Sequence, residues 1–282
     1  MQPDKLKKKY SLSKAETDDT VNLIISRLTN GITASDVPTA VIIGGQPGCG
    51  KTELQRIAED ELNNNIVICN GDNLREFHPH IVEIKKLHED LFPAMTIELA
   101  HQWNNELCRY CRENKLNYIL ETTFATGEGL NDTIRELKQA GYRVIIKLLA
   151  VHSRQSLLGT YLRFESMKKI DGFGRRVSRN NHDDRYQEIP HTLTCVLQAS
   201  LFDELSIYGR HSLRNNMVQP LNKVIFNQAE TLSAYLKERD KQLSGYAKDD
   251  YWDKFMKVLA MMIDRNASKE ELQSFFGDFK GE

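Results

Sequence analysis

The sequence lacks any apolar run that approaches the roughly twenty residues needed to span a membrane as a helix. No secretory hydrophobic segment follows the initial methionine. Cysteines are few and scattered, and their number, five, is odd, which does not suit a disulfide framework. These absences predict a protein of the reducing cytoplasm without a membrane-spanning segment.

A strong charge of one sign is also lacking, because the formal net charge is -1. Nucleic-acid-binding proteins carry basic stripes interleaved with aromatic residues, and the sequence has no such stripe. Its locally basic stretch, residues 5–11, falls in an N-terminus that we expect to be disordered over residues 1–12. We therefore expect neither a nucleic acid nor a membrane surface as a partner.

The sequence does contain a complete phosphate-binding motif. A β-branched run at residues 41–43 is typical of a buried strand, residues 45–52 fit G-x-x-x-x-G-K-[ST], and an amphipathic helix pattern follows. Glycines let backbone N–H groups face phosphate oxygens, and the start of a helix adds the positive end of its dipole. The predicted nucleotide-binding residues are Gly45, Gln46, Pro47, Gly48, Cys49, Gly50, Lys51 and Thr52.

Two side chains of this motif carry specific chemistry. Lys51 can reach the β- and γ-phosphates of ATP, and the Thr52 hydroxyl can ligate Mg²⁺. The implied cofactors are therefore ATP and Mg²⁺. Cys49 lies beside Lys51 among inward-pointing amides, so we also expect it to favour the thiolate and to be open to alkylation.

Strand and helix patterns alternate through most of the chain. The predicted strands cover residues 41–43, 65–69, 116–121, 142–151 and 222–227. This alternation predicts an α/β fold of the P-loop kinase type, with a mainly parallel five-stranded sheet and helices on both faces. From residue 228 the patterns are helical and charged. We predict a kinase domain with an N-terminal helix over residues 1–227 and a C-terminal helical appendage over 228–282.

Polar residues follow the predicted strands at the edge where open α/β sheets bind ligands. Asp72 is the candidate general base, because an acceptor hydroxyl needs a carboxylate within reach, although it could instead cap a helix. Glu121 ends an apolar strand, where a carboxylate is costly unless it meets a ligand, a metal or a polar partner. His78 precedes Pro79 and could belong to the site or fix a turn.

Three arginines form a second group of candidates. In phosphoryl transfer, charge spreads over the γ-phosphate oxygens, and the fork of an arginine is well suited to neutralise it. Arg175 and Arg176 follow a Gly-Phe-Gly loop that could close as a lid, and Arg163 precedes that loop on a helical stretch. They are either phosphate ligands or solvated charges.

The ordered set of motifs resembles the zeta toxins of bacterial toxin–antitoxin systems. The matching pieces are residues 38–40, 44–52, 71–72 with Arg75, His78 and Pro79, 119–123, 159–165, and 175–176 with 182–183. The resemblance implies an ATP-dependent kinase that phosphorylates UDP-N-acetylglucosamine and so interferes with cell-wall synthesis. It also implies a small helical antitoxin as a possible partner.

By this resemblance, Asp72 is the base, and Arg163 with either Arg175 or Arg176 grips the γ-phosphate. The implied catalytic residues are Asp72, Lys51, Arg163, Arg175 and Arg176, and the implied substrate-binding residues are Asp72, Arg75, His78, Glu106, Glu121 and Thr123. Phe124 departs from the more polar substrate loop of many members, and Asn105 is the alternative position to Glu106. A kinase for another nucleotide or nucleotide sugar, and a nucleotide-binding regulatory switch, remain open.

Overall fold

The computed structural model describes residues 3–210, 218–224 and 228–280. The strands are β1 Thr39–Gly44, β2 Val67–Cys69, β3 Tyr118–Glu121, β4 Arg143–Ala150, β5 Glu204–Arg210 and β6 Val218–Val224. The helices are α1 Pro3–Lys9, α2 Lys14–Leu28, α3 Lys51–Glu61, α4 Gly71–Leu74, α5 Ile81–Leu87, α6 Phe92–Glu113, α7 Gly129–Gln139, α8 Ser153–Asp171, α9 Arg179–Ala199, α10 Gln228–Arg239, α11 Tyr246–Asp264 and α12 Lys269–Asp278, with a 3₁₀ turn at Arg75–Phe77.

One sheet organises the molecule, with strand order β2-β3-β1-β4-β5-β6. The first five of these strands are mutually parallel, and β6 is antiparallel to β5. Ile43 near the end of β1 pairs with Glu121 on one side and with Lys147 on the other. The predicted α/β fold with a mainly parallel sheet is confirmed, and the polar residues after β1, β2 and β3 meet at one edge.

Both faces of the sheet are covered, because successive strand residues point to opposite sides. On one face, Ile42 and Ile146 belong to the main core, which also contains Trp103 of α6 and Leu193 of α9. On the other face, Val41, Ile43, Ile145 and Leu149 pack with Leu54 and Ala58 of α3. The β-branched run before the phosphate-binding motif is therefore fully buried, as its composition predicts.

The fifth strand differs from the expectation. The fifth parallel strand is β5, where Leu205 and Ile207 are buried, and the sequence pattern predicts no strand there. The stretch predicted as the fifth strand, residues 222–227, overlaps β6 instead, and residues 225–227 lie outside the described part of the chain. Ser206 and Gly209 interrupt the apolar pattern of β5, which is why its sequence signal is weak.

Residues 3–9 form helix α1, so the prediction of disorder over residues 1–12 is wrong for residues 3–12, while residues 1–2 lie outside the described part of the chain. Leu6 and Tyr10 are buried in a cluster with Ile81, Ile84 and Phe92. Lys7 and Lys9 of the same stretch form ion pairs with glutamates on α6 and α5. The apolar residues between the lysines form a face that packs on the protein. The basic charge of the segment, taken by itself, does not indicate this face.

The C-terminal helices pack on the α/β unit. Tyr235 of α10 is fully buried in the main core. Helix α11 lies along α8, where Phe255 and Phe275 form an aromatic cluster with Tyr161. The division into a kinase domain over 1–227 and an appendage over 228–282 stays a prediction.

Candidate functional site

The phosphate-binding motif forms the turn between β1 and α3. Gly45, Gly48 and Gly50 have φ values of +150°, +76° and +94°, which side chains other than glycine rarely adopt. Helix α3 begins at Lys51, so its first N–H groups face the concave side of the turn. The Lys51 Nζ donates to the Gly45 carbonyl oxygen at 2.9 Å and lies 3.7 Å from Glu121.

A chain of buried hydrogen bonds holds this loop against α8. The Gln46 side-chain amide donates to the Val151 carbonyl oxygen and to the Ser156 hydroxyl at 2.7 and 3.1 Å. Ser156 in turn hydrogen bonds with His182 Nε2 at 2.8 Å, and His182 Nδ1 contacts Asp183 at 2.8 Å. Burial lowers the pKa of His182, against the opposing effect of Asp183. The histidine therefore serves to position the loop.

A cavity of about 310 Å³ opens beside the loop. Its lining includes four of the predicted nucleotide-binding residues, namely Gly48, Gly50, Lys51 and Thr52. Glu121 and Arg163 line it as well. A basic cavity over glycine turns and a helix N-terminus has the chemistry of a polyphosphate site.

Asn70 connects the carboxylates at this edge of the sheet. Its side-chain amide donates to Glu121 at 2.9 Å, and its side-chain oxygen accepts from the Asp72 backbone N–H at 2.9 Å. Asn70 thereby caps the N-terminus of α4, so Asp72 does not fill the capping role that was its alternative. The Asp72 side chain is left to pair with Arg175, within reach of the charge of Arg163, and we call the region of these three side chains the cleft.

Arg175 meets Asp72 in that cleft. Both carboxylate oxygens of Asp72 accept hydrogen bonds from the Arg175 guanidinium. Desolvation raises the pKa of Asp72, but the bond to Arg175 and the charges of Arg175, Arg75 and Arg163 outweigh it and lower the pKa to about 2. Asp72 is therefore a carboxylate at any physiological pH.

The structure separates the three candidate arginines. Arg163 lines the cavity, where desolvation and the charge of Arg175 lower its pKa. Arg176 points the other way, because its guanidinium donates to the Ser274 hydroxyl of α12 at 2.9 Å and lies over the Tyr161 ring. Geometry thus brings Arg163 and Arg175, and not Arg176, to the cleft.

Two predicted substrate residues have structural contacts instead. Arg75 is 4% exposed, and its guanidinium donates to the Pro93 carbonyl oxygen and the Thr96 hydroxyl, both at 2.7 Å, and to Asp72 at 3.2 Å. It orients Asp72 from behind. His78 is buried beside Trp103 and accepts the His80 backbone N–H, so it fixes the turn that was its alternative role.

The other candidate substrate-binding residues differ in where they lie. Thr123 is half-buried and lies two residues after Glu121, the last residue of β3. Glu106 instead pairs with Arg109 on the surface of α6. Phe124 is fully buried against Gly44, so it packs in the core and does not line a substrate loop.

Cys49 does not behave as expected. Its side chain is fully buried. Burial raises the pKa of its thiol despite the nearby charges of Lys51 and Arg210. The expectation of a reactive thiolate is therefore wrong, because the loop encloses the sulfur away from solvent.

Residues that sequence reasoning missed complete the cavity. Gln155 of α8, Arg210 at the end of β5, and Asp250, Tyr251 and Lys254 of α11 all line it. Arg210 could have been found, because it ends a strand of the parallel sheet once β5 is recognised. Nothing in the local sequence of α11 indicates that it approaches the phosphate-binding loop.

Comparisons with known proteins agree with this geometry. Residues 25–231 match the family model described as zeta toxin. The chain belongs to the zeta toxin family. It is 30% identical over 184 residues to Toxin PezT of Streptococcus pneumoniae, covering 65% of this chain and 73% of that toxin. It is 26% identical over 234 residues to Toxin zeta of Streptococcus agalactiae, covering 83% and 80% of the two chains.

Solved structures show the same fold. A structure from the PezAT toxin–antitoxin system of Streptococcus pneumoniae aligns with a TM-score of 0.76 at 22% identity, covering 92% of this chain and 100% of that one. A complex of AvrRxo1-ORF1 and AvrRxo1-ORF2 with ATP aligns with a TM-score of 0.56 at 13% identity, covering 82% and 73%. At the level of the family, this chain is a kinase of the toxin type.

Across the part of the chain that the structure describes, every helix is too short or too polar to cross a membrane.

Proposed function

We propose that this chain transfers the γ-phosphoryl group of ATP to a hydroxyl of UDP-N-acetylglucosamine and acts as a zeta-type toxin against cell-wall synthesis. One observation carries the proposal: a continuous set of contacts runs from Lys51 through Glu121 and Asn70 to Asp72 and Arg175. It joins a phosphate-binding lysine, a candidate base and an arginine in one connected set, of which Lys51 and Glu121 line the cavity.

The groups suit in-line phosphoryl transfer. Asp72 would accept the proton of the acceptor hydroxyl, whose oxygen forms the new bond to the γ-phosphorus as the bond to the β-phosphate oxygen breaks and ADP leaves. Lys51, Arg163 and Arg175 would neutralise the phosphate oxygens. Glu121 and Thr123, at the end of β3, would hold the sugar.

The donor set also suits a divalent cation. The Thr52 hydroxyl lines the cavity at the start of α3, and an oxygen ligand of this kind fits Mg²⁺, which would supply charge neutralisation at the phosphates. Gly45, Gly48 and Gly50 have positive φ, and a side chain on any of them would collide with neighbouring protein atoms, so this turn keeps a glycine backbone whose N–H groups can approach phosphate oxygens. Both features support ATP with Mg²⁺ as the cofactor pair.

A protein partner and a cellular location belong to the same proposal. Two structural relatives come from a toxin–antitoxin system and from a two-protein complex, which supports a small antitoxin as the partner here. The cysteines Cys49, Cys69, Cys108, Cys111 and Cys195 are all free and buried, which supports the reducing cytoplasm.

The proposal is tested by incubating the protein with Mg-ATP and a panel of nucleotide sugars and nucleotides, followed by mass spectrometry. UDP-N-acetylglucosamine should gain one phosphoryl group. The Asp72→Asn variant should lose transfer by about 1,000-fold or more while it keeps ATP affinity, because the amide removes the proton acceptor and leaves the phosphate-binding loop intact.

Asp132→Asn is the matched control, because this exposed aspartate on α7 pairs with Arg135 and does not line the cavity. Undiminished transfer by Asp72→Asn would refute its role as base. Transfer to a different acceptor would keep the kinase and change the substrate, and ATP binding without any transfer would favour a nucleotide-dependent switch.

A further inference from the structure

A second cavity adjoins the one at the phosphate-binding loop. Its volume is about 340 Å³, and Gln155 and Arg210 line both cavities. One side is built by Ala150 and His152, where β4 passes into α8. The opposite side is residues 241–247, the connection from α10 into α11. Each cavity has the size of a small-molecule site.

Arg210 stands at the junction of the two cavities. Its Nη1 donates to the Cys49 carbonyl oxygen at 3.2 Å, and a methyl group on Gly50 would lie 2.7 Å from the guanidinium. Its Nε is buried and has no hydrogen-bond partner among the described residues. A positive charge with a spare donor therefore sits where the loop turns into α3.

The position of Arg210 orients a ligand that spans both cavities. Lys51 and Arg163 line the first cavity, and hydrogen bonds and an ion pair through Asn70 and Glu121 connect Asp72 to Lys51. Lys51, Arg163 and Asp72 mark the end where a terminal phosphate would react. A triphosphate that extends from there along Gly50 would reach Arg210 with its innermost phosphate. The group attached to that phosphate would then enter the second cavity.

We infer that the second cavity binds the nucleoside half of the triphosphate and that residues 241–247 form its outer wall. This inference rests on the proposed kinase function. The matched family region ends at residue 231, so the wall comes from a segment beyond it. ATP affinity in this chain therefore depends on its C-terminal segment.

The chemistry of the wall fits a base and a ribose. Tyr246 is 64% exposed, so its ring is available to stack on a base. The Glu238 carboxylate, 3.8 Å from the Lys241 amine, is a group suited to ribose hydroxyls. The side chains of Gln242 and Ser244 add donors and acceptors for the edge of a base.

The test compares binding of Mg-ATP with binding of inorganic tripolyphosphate, each measured by calorimetry on the full chain. Ala247→Trp places an indole in the second cavity. This variant should bind Mg-ATP about tenfold or more weakly than the wild type. Its affinity for tripolyphosphate should stay within about twofold of the wild type, because the phosphate cavity is unchanged. Lys248→Trp adds the same ring one residue away, at an exposed position that does not line the cavity, and should change neither affinity.

A milder variant guards against misfolding. Tyr246→Ala removes the exposed ring and should weaken Mg-ATP by about fivefold, again without effect on tripolyphosphate. Unchanged Mg-ATP affinity in both cavity variants would overturn the inference while the kinase proposal survives. Equal loss of both ligands, or a gain in ATP affinity, would also overturn it. If the wild-type chain bound neither ligand, the kinase proposal would fail together with the inference.

Discussion

Asp72 is a carboxylate surrounded by arginine side chains. Three arginines act on it, and together they overcome its desolvation and lower its pKa to about 2. Arg75 is buried and fixed, Arg163 lines the cavity, and Arg175 grips both carboxylate oxygens. A carboxylate held in this way is well positioned but weakly basic. Its ability to accept a proton from the acceptor hydroxyl therefore depends on whether Arg175 stays bonded to it or moves to the phosphate.

Arg175 and Arg176 should therefore differ in their effect on catalysis. Arg175→Ala should lower phosphoryl transfer by about 100-fold or more, because a cation that can neutralise the γ-phosphate is lost. Arg176→Ala should transfer phosphoryl groups at a rate within about threefold of the wild type, because the contacts of Arg176 are with Ser274 and Tyr161. Single-turnover transfer from Mg-ATP measures both, and an equal loss in Arg176→Ala would show that Arg176 also reaches the phosphate.

At the scale of elements, the phosphate-binding loop is packed directly on α8. A methyl group at Gly48 would lie 2.0 Å from the Ser156 carbonyl oxygen, and one at Gly159 would lie 2.2 Å from the Gly48 carbonyl oxygen. Two backbones thus touch where neither can carry a side chain. The shape of the loop depends on α8 as much as on its own glycines.

Gly159→Ala should displace the loop. We expect a loss of about 1–3 kcal/mol in the free energy of unfolding, because the added methyl group overpacks a closed contact. ATP affinity should fall by about tenfold, since the loop amides move away from the phosphates. Urea unfolding and ATP titration give the two values.

Gly277→Ala is the matched control, because Gly277 is also helical but a methyl group there meets nothing within 4 Å. It should leave ATP affinity unchanged and raise the free energy of unfolding by up to about 1 kcal/mol, since alanine favours a helix. Wild-type ATP affinity in Gly159→Ala would show that the loop tolerates the shift.

At the scale of the whole molecule, an ion-pair cluster ties the C-terminal helices to the kinase core. Arg265, at the end of α11, donates to both oxygens of Glu165 on α8 at 2.7 and 2.9 Å. Glu165 is 1% exposed, so this carboxylate depends on its partner. Arg265 also pairs with Glu271 of α12 and lowers the pKa of Glu271 to about 2.

Removal of Arg265 should loosen this junction. Arg265→Met should lower the free energy of unfolding at pH 7 by about 3–5 kcal/mol, because it leaves the charge of Glu165 buried without its partner. The double variant with Glu165→Leu should recover most of the loss. Urea unfolding measures both, and a loss below about 1 kcal/mol in Arg265→Met would show that the cluster contributes little.

The same cluster predicts a dependence on pH. The pKa of Glu271 is depressed in the folded state, so its stabilising effect is complete above its unfolded pKa of about 4.3 and is lost as the pH falls toward about 2. Wild-type unfolding curves between pH 5 and 3, compared with those of Glu271→Gln, isolate this contribution. Parallel curves would argue against it.

Local sequence determined the phosphate-binding loop and the edge of the sheet that carries the site. The loop is eight contiguous residues whose spacing is set by phosphate geometry. Asp72 and Glu121 follow buried strands, and the parallel sheet brings such strand ends together. The α/β class could also be predicted, because the apolar pattern of each strand or helix depends only on the residues of that element.

Tertiary structure alone decided which distant side chains meet. Arg175 reaches Asp72 while its neighbour Arg176 turns to α12, and Arg75 is buried behind Asp72 by α6. Asp250, Tyr251 and Lys254 of α11 line the same cavity as the phosphate-binding loop although almost 200 residues separate them from it in the chain. Periodicity shows which face of a helix is apolar but not which partner covers it, so these contacts exist only once the helices have packed.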